Sequence, residues 1–567
     1  MRRSILLGLF LAALSTCLVW FSGCRVPARR GAAGPAEVVY YHGDLRTPQG
    51  LIERGALAVK DGKILALGPE KEILSRYCTK GTKLVDLKGG VAFPGMMDSL
   101  GNLLQLGTSL RQVDLLDTRS WEEVVERVAS RAKRTPKGQW ILGMGWDQNL
   151  WKVPAMPTHE ELSKAVPDNP VWLLRVDALC GIANQKAMEI CGITRDTKDP
   201  KGGRIVRGRN GEPTGVLLRS ALDLVLSRIP PPSPAEIKAS YLLAQDACFH
   251  AGLTGVFVPG LEWEEIEDLK QLVDSGEWKL PVSVSIRTDG DPDVMEGREP
   301  LFDYGGLLDI RCVTLYMDGA LGSRGAALLE PYEDDPLNMG ILSYAKEEVE
   351  AVARKAFERG FQVSAHCIGD RAVRVTLDAY EAVFGGKPHP ELRWRIEHSQ
   401  LVTAKDRLRY KKLGIVPSMQ PTHCPSDMGW ALKRIGERRK EEAYNWRAFA
   451  DLGLKIAGGS DFPVESYDPL KGIYAAVTTK KEDGTPPGGY LPEVRLSRKE
   501  AVDLFTINSA YAVFRDKTRG TLEPGKRAHV TVYDRDIMTV PEREILEARV
   551  LFTIVDGRVV YANDEIR

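Results

Sequence analysis

The stretch that decides the fold is Pro94-Gly-Met-Met-Asp-Ser-Leu-Gly-Asn102, which completes a run beginning at Val91. We interpret Val91–Met97 as a strand, and we expect the residues that follow it to lie at the centre of the molecule. Leu100 and Asn102 are two positions apart, so on an extended chain both side chains face the same side. The sequence therefore predicts that these two residues point into the interior of a barrel.

Strands and helices alternate along the chain after this stretch. Helical patterns separate several of the strands, and a Ser-x-x-Glu capping box at Ser497 and Glu500 opens a helix over Ser497–Phe514. Eight strands in this alternation predict the α/β class and a (β/α)₈ TIM barrel. The predicted strands are Val91–Met97, Thr254–Val258, Pro281–Arg287, Arg311–Met317, Phe361–His366, Arg393–His398, Gly414–Ser418 and Lys455–Asp461.

Both ends of the chain show short alternating strands with tight turns, including the hairpin signals Asp61-Gly62 and Asp556-Gly557. The simplest arrangement pairs the two ends, residues 37–90 and 516–567, into one small β-sandwich. The barrel then covers residues 91–515. Residues 101–233 are too many for a loop after the first barrel strand, so we predict an inserted subdomain there.

The first 24 residues have the order of a secretory signal: a basic start, an apolar run over Ile5–Phe21, then Ser22-Gly23-Cys24. Ser-Gly-Cys resembles a bacterial lipobox, which predicts a lipid anchor at Cys24 and a bacterial cell-envelope location, periplasmic or on the outer surface. An uncleaved membrane anchor and plain secretion remain alternatives. Residues 25–36, rich in Arg, Gly, Ala and Pro, are interpreted as a tether.

The composition excludes some classes of partner. Lys+Arg and Asp+Glu are both 77, so no net charge favours nucleic acid. Seven cysteines lie beyond Cys24, at scattered positions and in odd number, which argues against a disulfide framework. We expect a small-molecule substrate or ligand, and the sequence does not indicate an oligomeric state.

Three polar residues end predicted barrel strands: His366 the fifth, His398 the sixth and Asp461 the eighth. Because the carboxyl ends of barrel strands converge on one site, we expect the three side chains to meet. Two imidazoles and a carboxylate form a ligand set for one divalent metal ion, zinc being the expected choice. His423, near the end of the seventh strand, is the alternative third ligand, or else a histidine of the substrate pocket.

From about Val38 to Ala562 the chain resembles the amidohydrolase superfamily, in particular its YtcJ-like "amidohydrolase 3" branch. The resemblance implies metal-dependent hydrolysis of non-peptide carbon–nitrogen bonds, with Asp461 as the catalytic group that takes and returns the proton. It also assigns Asp318, Arg324, Asn102 and Tyr332, together with His423, to the substrate pocket. The motifs are Asp318-Gly-Ala-Leu-Gly-Ser-Arg324, Leu329-Glu-Pro-Tyr332, His366-Cys-Ile-Gly-Asp-Arg-Ala372, Arg395-Ile-Glu-His398, Gln420-Pro-Thr-His423 and Gly459-Ser-Asp-Phe-Pro-Val464.

The chain also departs from the family pattern. Leu100 and Asn102 stand where the pattern P-G-x-x-D-x-H-x-H has its paired histidines, and Thr314 stands where binuclear members carry a bridging lysine. A further family histidine, in the inserted subdomain, is replaced by Leu179. A binuclear centre is excluded on these grounds, and at most a mononuclear site remains.

Three functions remain open. The first is a single-metal hydrolase acting through His366, His398 and Asp461. The second is a catalytically inactive binding protein on the same barrel, tethered at the cell envelope, because Leu100, Leu179 and Thr314 make the pocket less polar. The third is a non-hydrolytic reaction, such as isomerisation, on the retained histidines.

Overall fold

The structure, a computed structural model, describes residues 34–177 and 179–563. Eight parallel strands form its centre, and a bridge between Gly101 and Phe462 brings the first strand against the last. The predicted α/β barrel is confirmed. In order around the barrel, the strands are Met96–Asp98, Leu253–Leu261, Val282–Arg287, Leu308–Tyr316, Gln362–Cys367, Arg395–His398, Val416–Met419 and Ala457–Gly458.

Local sequence signals set the ends of several helices around the barrel. The helix Pro234–His250 begins at a capping box of Ser233 and Glu236, and the helix Lys346–Arg359 stops at Gly360, which adopts a φ of 76°. The helices along this part of the chain are Leu103–Arg111, Pro234–His250, Trp263–Asp274, Lys346–Arg359, Asp370–Val383, Ala404–Leu413, His423–Asp427, Ala431–Ile435, Trp446–Asp451, Pro469–Thr478, Arg498–Leu504 and Ile507–Ala512.

Two predicted elements are each divided in two. The run Val91–Met97 gives one strand to the terminal sheet and one to the barrel. The division falls at Gly95, where a Cβ would lie 2.2 Å from the Thr254 hydroxyl, so only glycine fits there. The predicted helix Ser497–Phe514 breaks at Thr506. The Phe505 carbonyl accepts a hydrogen bond from the Met97 amide (2.7 Å), so it is taken up by the barrel strand.

Strands from both chain ends share one eight-stranded sheet. The strand Lys63–Pro69, at one edge, bridges back to Arg527, and the Tyr40 hydroxyl donates to the Gly557 carbonyl (2.9 Å). The sheet therefore folds over a common apolar core that contains residues from both ends, such as Leu57 and Val530. In order, its strands are Arg558–Ala562, Val550–Val555, Val530–Tyr533, Val91–Pro94, Val38–Thr47, Gly50–Lys60 and Lys63–Pro69, with Lys83–Asp86 paired to Val38–Thr47 and the helix Glu70–Tyr77 packed beside them.

A second sheet, of six strands, lies between the first and second barrel strands, within the predicted insertion. It has apolar cores of its own, one of them built around Trp146 and Trp151. In order, its strands are Gly203–Arg207, Pro213–Arg219, Cys180–Ala183, Val171–Arg175, Ile141–Trp146 and Val113–Asp114, and the helices nearby are Trp121–Ala132, His159–Ala165, Gln185–Cys191 and Asp223–Leu226.

The described residues include the seven cysteines beyond Cys24 but not the predicted signal. All seven described cysteines are free thiols. Within residues 34–177 and 179–563, no helix has both the length and the apolar character needed to cross a membrane. The predicted signal, including Cys24, and most of the tether lie outside the described residues.

A buried ion pair holds the inside of the barrel. The side chains of Arg395 and Glu397 are at most 1% exposed, and Arg395 Nη2 lies 3.0 Å from Glu397 Oε2. The same nitrogen donates to the Ser99 carbonyl and to the Ser418 hydroxyl, each at 2.8 Å. The guanidinium also lies over the Phe257 ring, 4.0 Å from its centre. One arginine therefore ties together the first, sixth and seventh strands.

Removal of this arginine is expected to destabilise the barrel strongly. Arg395→Met leaves Glu397 buried without its cation, which lowers the free energy of unfolding by about 3–5 kcal/mol. Urea denaturation followed by circular dichroism measures the change. Arg438→Met, which removes an exposed partner of Glu330, is the matched control and should unfold like the wild type. Equal behaviour of the two variants would contradict the structural role of Arg395.

Protonation of His529 is expected to weaken the fold in mild acid. Burial, reinforced by the nearby Arg519, lowers the pKa of His529 to about 4, although Asp556 Oδ1 lies 2.9 Å from its Nε2. A depressed pKa means that the unfolded chain takes up the proton first. Stability is therefore full above the unfolded pKa near 6.5 and falls as the pH drops toward 4, by about 3 kcal/mol in all.

Thermal unfolding between pH 7.5 and 4 tests this expectation in the wild type and in His529→Gln, which keeps an amide donor for Asp556. The variant should lose less stability over that window, since other acid-sensitive groups act equally in both proteins. Parallel curves would show that His529 is not the group responsible.

Candidate metal and catalytic site

The polar residues at the barrel's carboxyl end come from four different strands or the loops that follow them. His366 lies near the end of the fifth strand, Gln362–Cys367, and His398 ends the sixth. His423 begins a short helix after the seventh strand instead of ending that strand. Asp461 lies beyond the short eighth strand, where the chain pairs with residues that follow the first strand.

Three of these side chains converge. The ligand atoms of His398, His423 and Asp461 all lie within 4.8 Å of one another. His423 Nε2 is 3.5 Å from Asp461 Oδ2, and the rings of His398 and His423 are 5.9 Å apart between centres. His366 stands beside this group, with its ring edge-on to that of His398 at 4.4 Å.

His423 lies between two carboxylates. Its Nδ1 is 3.3 Å from Glu465 Oε1, and its Nε2 faces Asp461. Burial alone lowers the pKa of this histidine, but the two carboxylates outweigh burial and raise the pKa to about 10. In return, burial raises the pKa values of Asp461 and Glu465, but contact with His423 outweighs it, so both end below their usual range. Both acids therefore stay ionised.

His398 is the opposite case, a neutral imidazole. Burial, followed by the neighbouring His366, lowers the pKa of His398 to about 3. Its buried Nδ1 makes no hydrogen bond to any described residue. A buried ring nitrogen without a partner is costly, whereas a neutral imidazole is the form that binds metals. Once an ion displaces the Nε2 proton of His423, two imidazoles and one carboxylate form a donor set that fits a divalent ion such as zinc.

A cavity of about 150 Å³ opens beside the cluster. His366, His398 and Asp461 line one part of it, and Pro463 and the largely exposed Val464 lie near its rim. Its remaining lining residues are Leu100, Asn102, Gln105, Pro259, Thr314, Tyr316, Glu397 and Phe462. These lining residues include two acids, Asp461 and the Arg395-paired Glu397, but no lysine or arginine, so they offer no cationic side chain to an anionic group.

The residues that replace the family's ligands have other partners. Leu100 is 2% exposed and packs in an apolar cluster with Met97 and Phe257. The Thr314 hydroxyl lies 2.5 Å from that of Ser285. Asn102 caps the helix Leu103–Arg111 by accepting from the Gln105 amide. All three residues line the cavity, but none of the three side chains adds a strong metal ligand.

Three residues assigned to the substrate pocket are engaged elsewhere. The carboxylate of Asp318 accepts hydrogen bonds from the backbone amides of Ala327, Ile368 and Gly369 at 2.8–3.0 Å. Arg324 pairs with Asp334, and the buried Tyr332 donates to the Ala326 carbonyl. These side chains hold loops in place and do not line the cavity. Leu179 is 57% exposed and also lies outside the cavity lining.

Sequence reasoning missed Tyr316 and Glu465. Tyr316 is two residues after Thr314 on the fourth strand, so strand alternation could have placed both in the cavity. Glu465 directly follows the motif that ends at Val464, but its contact with His423 depends on two loops meeting. No spacing in the sequence gives that contact.

The chain also matches known proteins. A family model described as "Amidohydrolase family" matches residues 83–561. The putative amidohydrolase YtcJ of Bacillus subtilis is 31% identical over 514 residues, which cover 89% of this chain and 96% of that protein. The N-substituted formamide deformylase of Arthrobacter pascens is 28% identical over 526 residues, covering 89% and 94%.

A solved structure extends the likeness to three dimensions. The crystal structure of an uncharacterized metal-dependent hydrolase from Pyrococcus furiosus aligns with a TM-score of 0.72 at 30% identity, covering 88% of this chain and all of the other. Sequence and architecture agree over nearly the whole described length, and the chain belongs to the amidohydrolase family.

Proposed function

We propose that this chain is a metal-dependent hydrolase that cleaves a non-peptide carbon–nitrogen bond in an uncharged small molecule, with one divalent ion, zinc, at the barrel's carboxyl end. The observation that carries the proposal is the convergence of two imidazoles and a carboxylate within 4.8 Å beside a cavity. The name of the Arthrobacter pascens relative describes deformylation of N-substituted formamides, and the Pyrococcus furiosus protein is described as metal-dependent. Both descriptions support this reaction class.

A single ion follows from the ligands that are present. Leu100 offers no donor atom, and the Thr314 hydroxyl is already bound to Ser285. Among the cavity's lining residues, His398 and Asp461 remain as ligands. When bound, a divalent ion there would polarise the substrate carbonyl and make water easier to deprotonate.

Asp461 carries out the proton transfers of the proposed hydrolysis. Its carboxylate is ionised and reaches the cavity, so it can accept a proton from the attacking water and return it to the leaving nitrogen. Tyr316 stands across the cavity as a hydrogen-bond donor, since burial raises the pKa of its hydroxyl to about 12 and keeps it protonated. His366 and Asn102 complete the polar lining and can orient the amide.

Hydrolysis is tested with detergent-solubilised full-length protein and a panel of neutral N-substituted formamides and amides. Chelation should abolish release of the amine, and added Zn²⁺ should restore it. Asp461→Asn should lower kcat at least about 100-fold because the general base is lost. Asp196→Asn, at an exposed position of the insertion, is the control and should turn over like the wild type.

The alternative is an inactive binding protein, which the apolar packing of Leu100 at the cavity favours. Equilibrium dialysis of the same panel separates the two functions. Stoichiometric capture of a compound without amine release, unaffected by chelation, would establish the binding protein and reject the hydrolase. Amine release that survives complete chelation would reject the metal-dependent mechanism.

We further propose that the protein is exported and lipid-anchored at Cys24 in a bacterial cell envelope. The order of basic, apolar and Ser-Gly-Cys residues at the start of the sequence supports this. Cys24→Ser should abolish labelling by a radioactive fatty acid and prevent processing to the mature size. Cys78→Ser, within the terminal sheet region, is the control and should stay labelled. Unchanged labelling of Cys24→Ser would reject the anchor.

A further inference from the structure

We infer that the metal ion is held by His398, His423 and Asp461, with Glu465 orienting His423, and that His366 is not a ligand. The inference rests on the proposed function only in taking a metal ion to be used. In this arrangement the ion lies toward the sixth, seventh and eighth strands. This set replaces the ligand set His366, His398 and Asp461, which the strand ends alone suggest. His366 then becomes a wall of the substrate cavity.

The distances support this set of three. With metal–ligand bonds near 2.0–2.2 Å, two ligands of a tetrahedral ion lie about 3.4 Å apart. His423 Nε2 and Asp461 Oδ2 are 3.5 Å apart, which matches that separation without movement. His398 supplies a third atom within 4.8 Å of both, so a small rotation of its ring completes the set.

Glu465 gives His423 the environment of a metal-binding histidine. Such a ring commonly donates from one nitrogen to a carboxylate, which fixes the tautomer and leaves the other nitrogen free to bind. Glu465 Oε1 is 3.3 Å from Nδ1 of His423, and the same oxygen accepts a hydrogen bond from the Ser426 hydroxyl at 2.6 Å. An ion that displaces the proton from Nε2 leaves the Nδ1 proton on the side of Glu465 and can then bind the Nε2 lone pair, which faces Asp461.

His366 has a different set of neighbours. Its buried Nδ1, like that of His398, makes no hydrogen bond to any described residue, and the Asp318 carboxylate 3.6 Å away is held by backbone amides. Its ring is 5.6 Å from that of Tyr316 across the cavity wall. His366 is not part of the described group whose ligand atoms come within 4.8 Å of one another. The ring therefore faces the cavity between Tyr316 and His398 and is placed to contact substrate.

The residues that line the cavity explain the inferred position of the ion. The apolar Leu100 and the hydroxyl-bonded Thr314 give no strong ligand. The converging donor atoms belong to residues at the ends of the sixth and eighth strands and after the seventh: His398, Asp461 and His423. An ion bound there leaves the space beside Leu100 and Thr314 open for the substrate.

Metal affinity measured by chelator competition, with content measured by elemental analysis, tests the ligand set without any assay of turnover. His423→Ala should weaken Zn²⁺ binding more than about 100-fold, and Glu465→Gln by about 10–100-fold because the tautomer is no longer fixed. His366→Ala is the matched control, a partly buried histidine that lines the cavity, and should bind Zn²⁺ like the wild type.

Cysteine substitutions keep the test decisive if the alanine variants fold poorly. A thiolate that binds Co²⁺ gives an intense near-ultraviolet charge-transfer band, and cysteine is an ordinary ligand for such sites. His423→Cys should show this band with one equivalent of Co²⁺, and His366→Cys should not. A band in His366→Cys alone, or loss of metal in His366→Ala but not in His423→Ala, would overturn the inference.

The outcomes also separate this inference from the proposed hydrolase. Metal bound through His423 in a protein that hydrolyses nothing would leave the site standing and reject the function. Metal-dependent hydrolysis with His423→Ala fully loaded would do the reverse. A wild-type protein that binds no Zn²⁺ or Co²⁺ would reject both.

Discussion

The seam between the first and eighth barrel strands is the constraint on which the site depends. Asp98, buried in this seam, accepts hydrogen bonds from the amides of Leu100 and Ser460 (2.9 and 3.1 Å), and the Asp461 amide donates to the Leu100 carbonyl (2.8 Å). Further along, the Asn102 amide donates to the Phe462 carbonyl. At positions 100 and 102 these bonds use only backbone groups. The barrel can therefore close, and Asp461 can be placed, whatever side chains occupy those positions.

The sequence was sufficient for the barrel because alternation and capping are local signals. It was insufficient where a distant contact decides. The first strand divides at Gly95, where Thr254 leaves no room for a Cβ. The helix ends at Thr506, where the Phe505 carbonyl accepts a hydrogen bond from the Met97 amide. Both contacts join residues more than a hundred positions apart. No periodicity of the sequence could have predicted them, whereas the eight barrel strands follow from patterns within ten to twenty residues.

The residues of the site also divide into those that strand positions predict and those that distant contacts decide. Strand-end reasoning found His366, His398 and Asp461, because strand ends of a barrel converge by geometry. It could not rank His366 against His423, since that choice depends on where a loop places Glu465. Motif resemblance assigned Asp318 to the substrate pocket, whereas its carboxylate accepts hydrogen bonds from the backbone amides of Ala327, Ile368 and Gly369. A carboxylate within a motif can serve the backbone amides of a loop as well as a substrate, and only the hydrogen bonds distinguish these roles.

The backbone shows where this chain keeps a costly arrangement. His398, Ser399 and Asp461 have φ values of 64°, 44° and 62°, a region that side chains other than glycine adopt at a cost of about 1–3 kcal/mol each. The buried Nδ1 of His398 without a partner adds to that cost. At Leu100 and Thr314 the same cavity carries an apolar residue and a satisfied hydroxyl, neither of them strained. The strain is concentrated on the side of the sixth and eighth strands, and the barrel itself does not need it, because the seam and the Arg395–Glu397 pair already close and brace the strands. That asymmetry is the physical reason to place the chemistry beside His398 and Asp461.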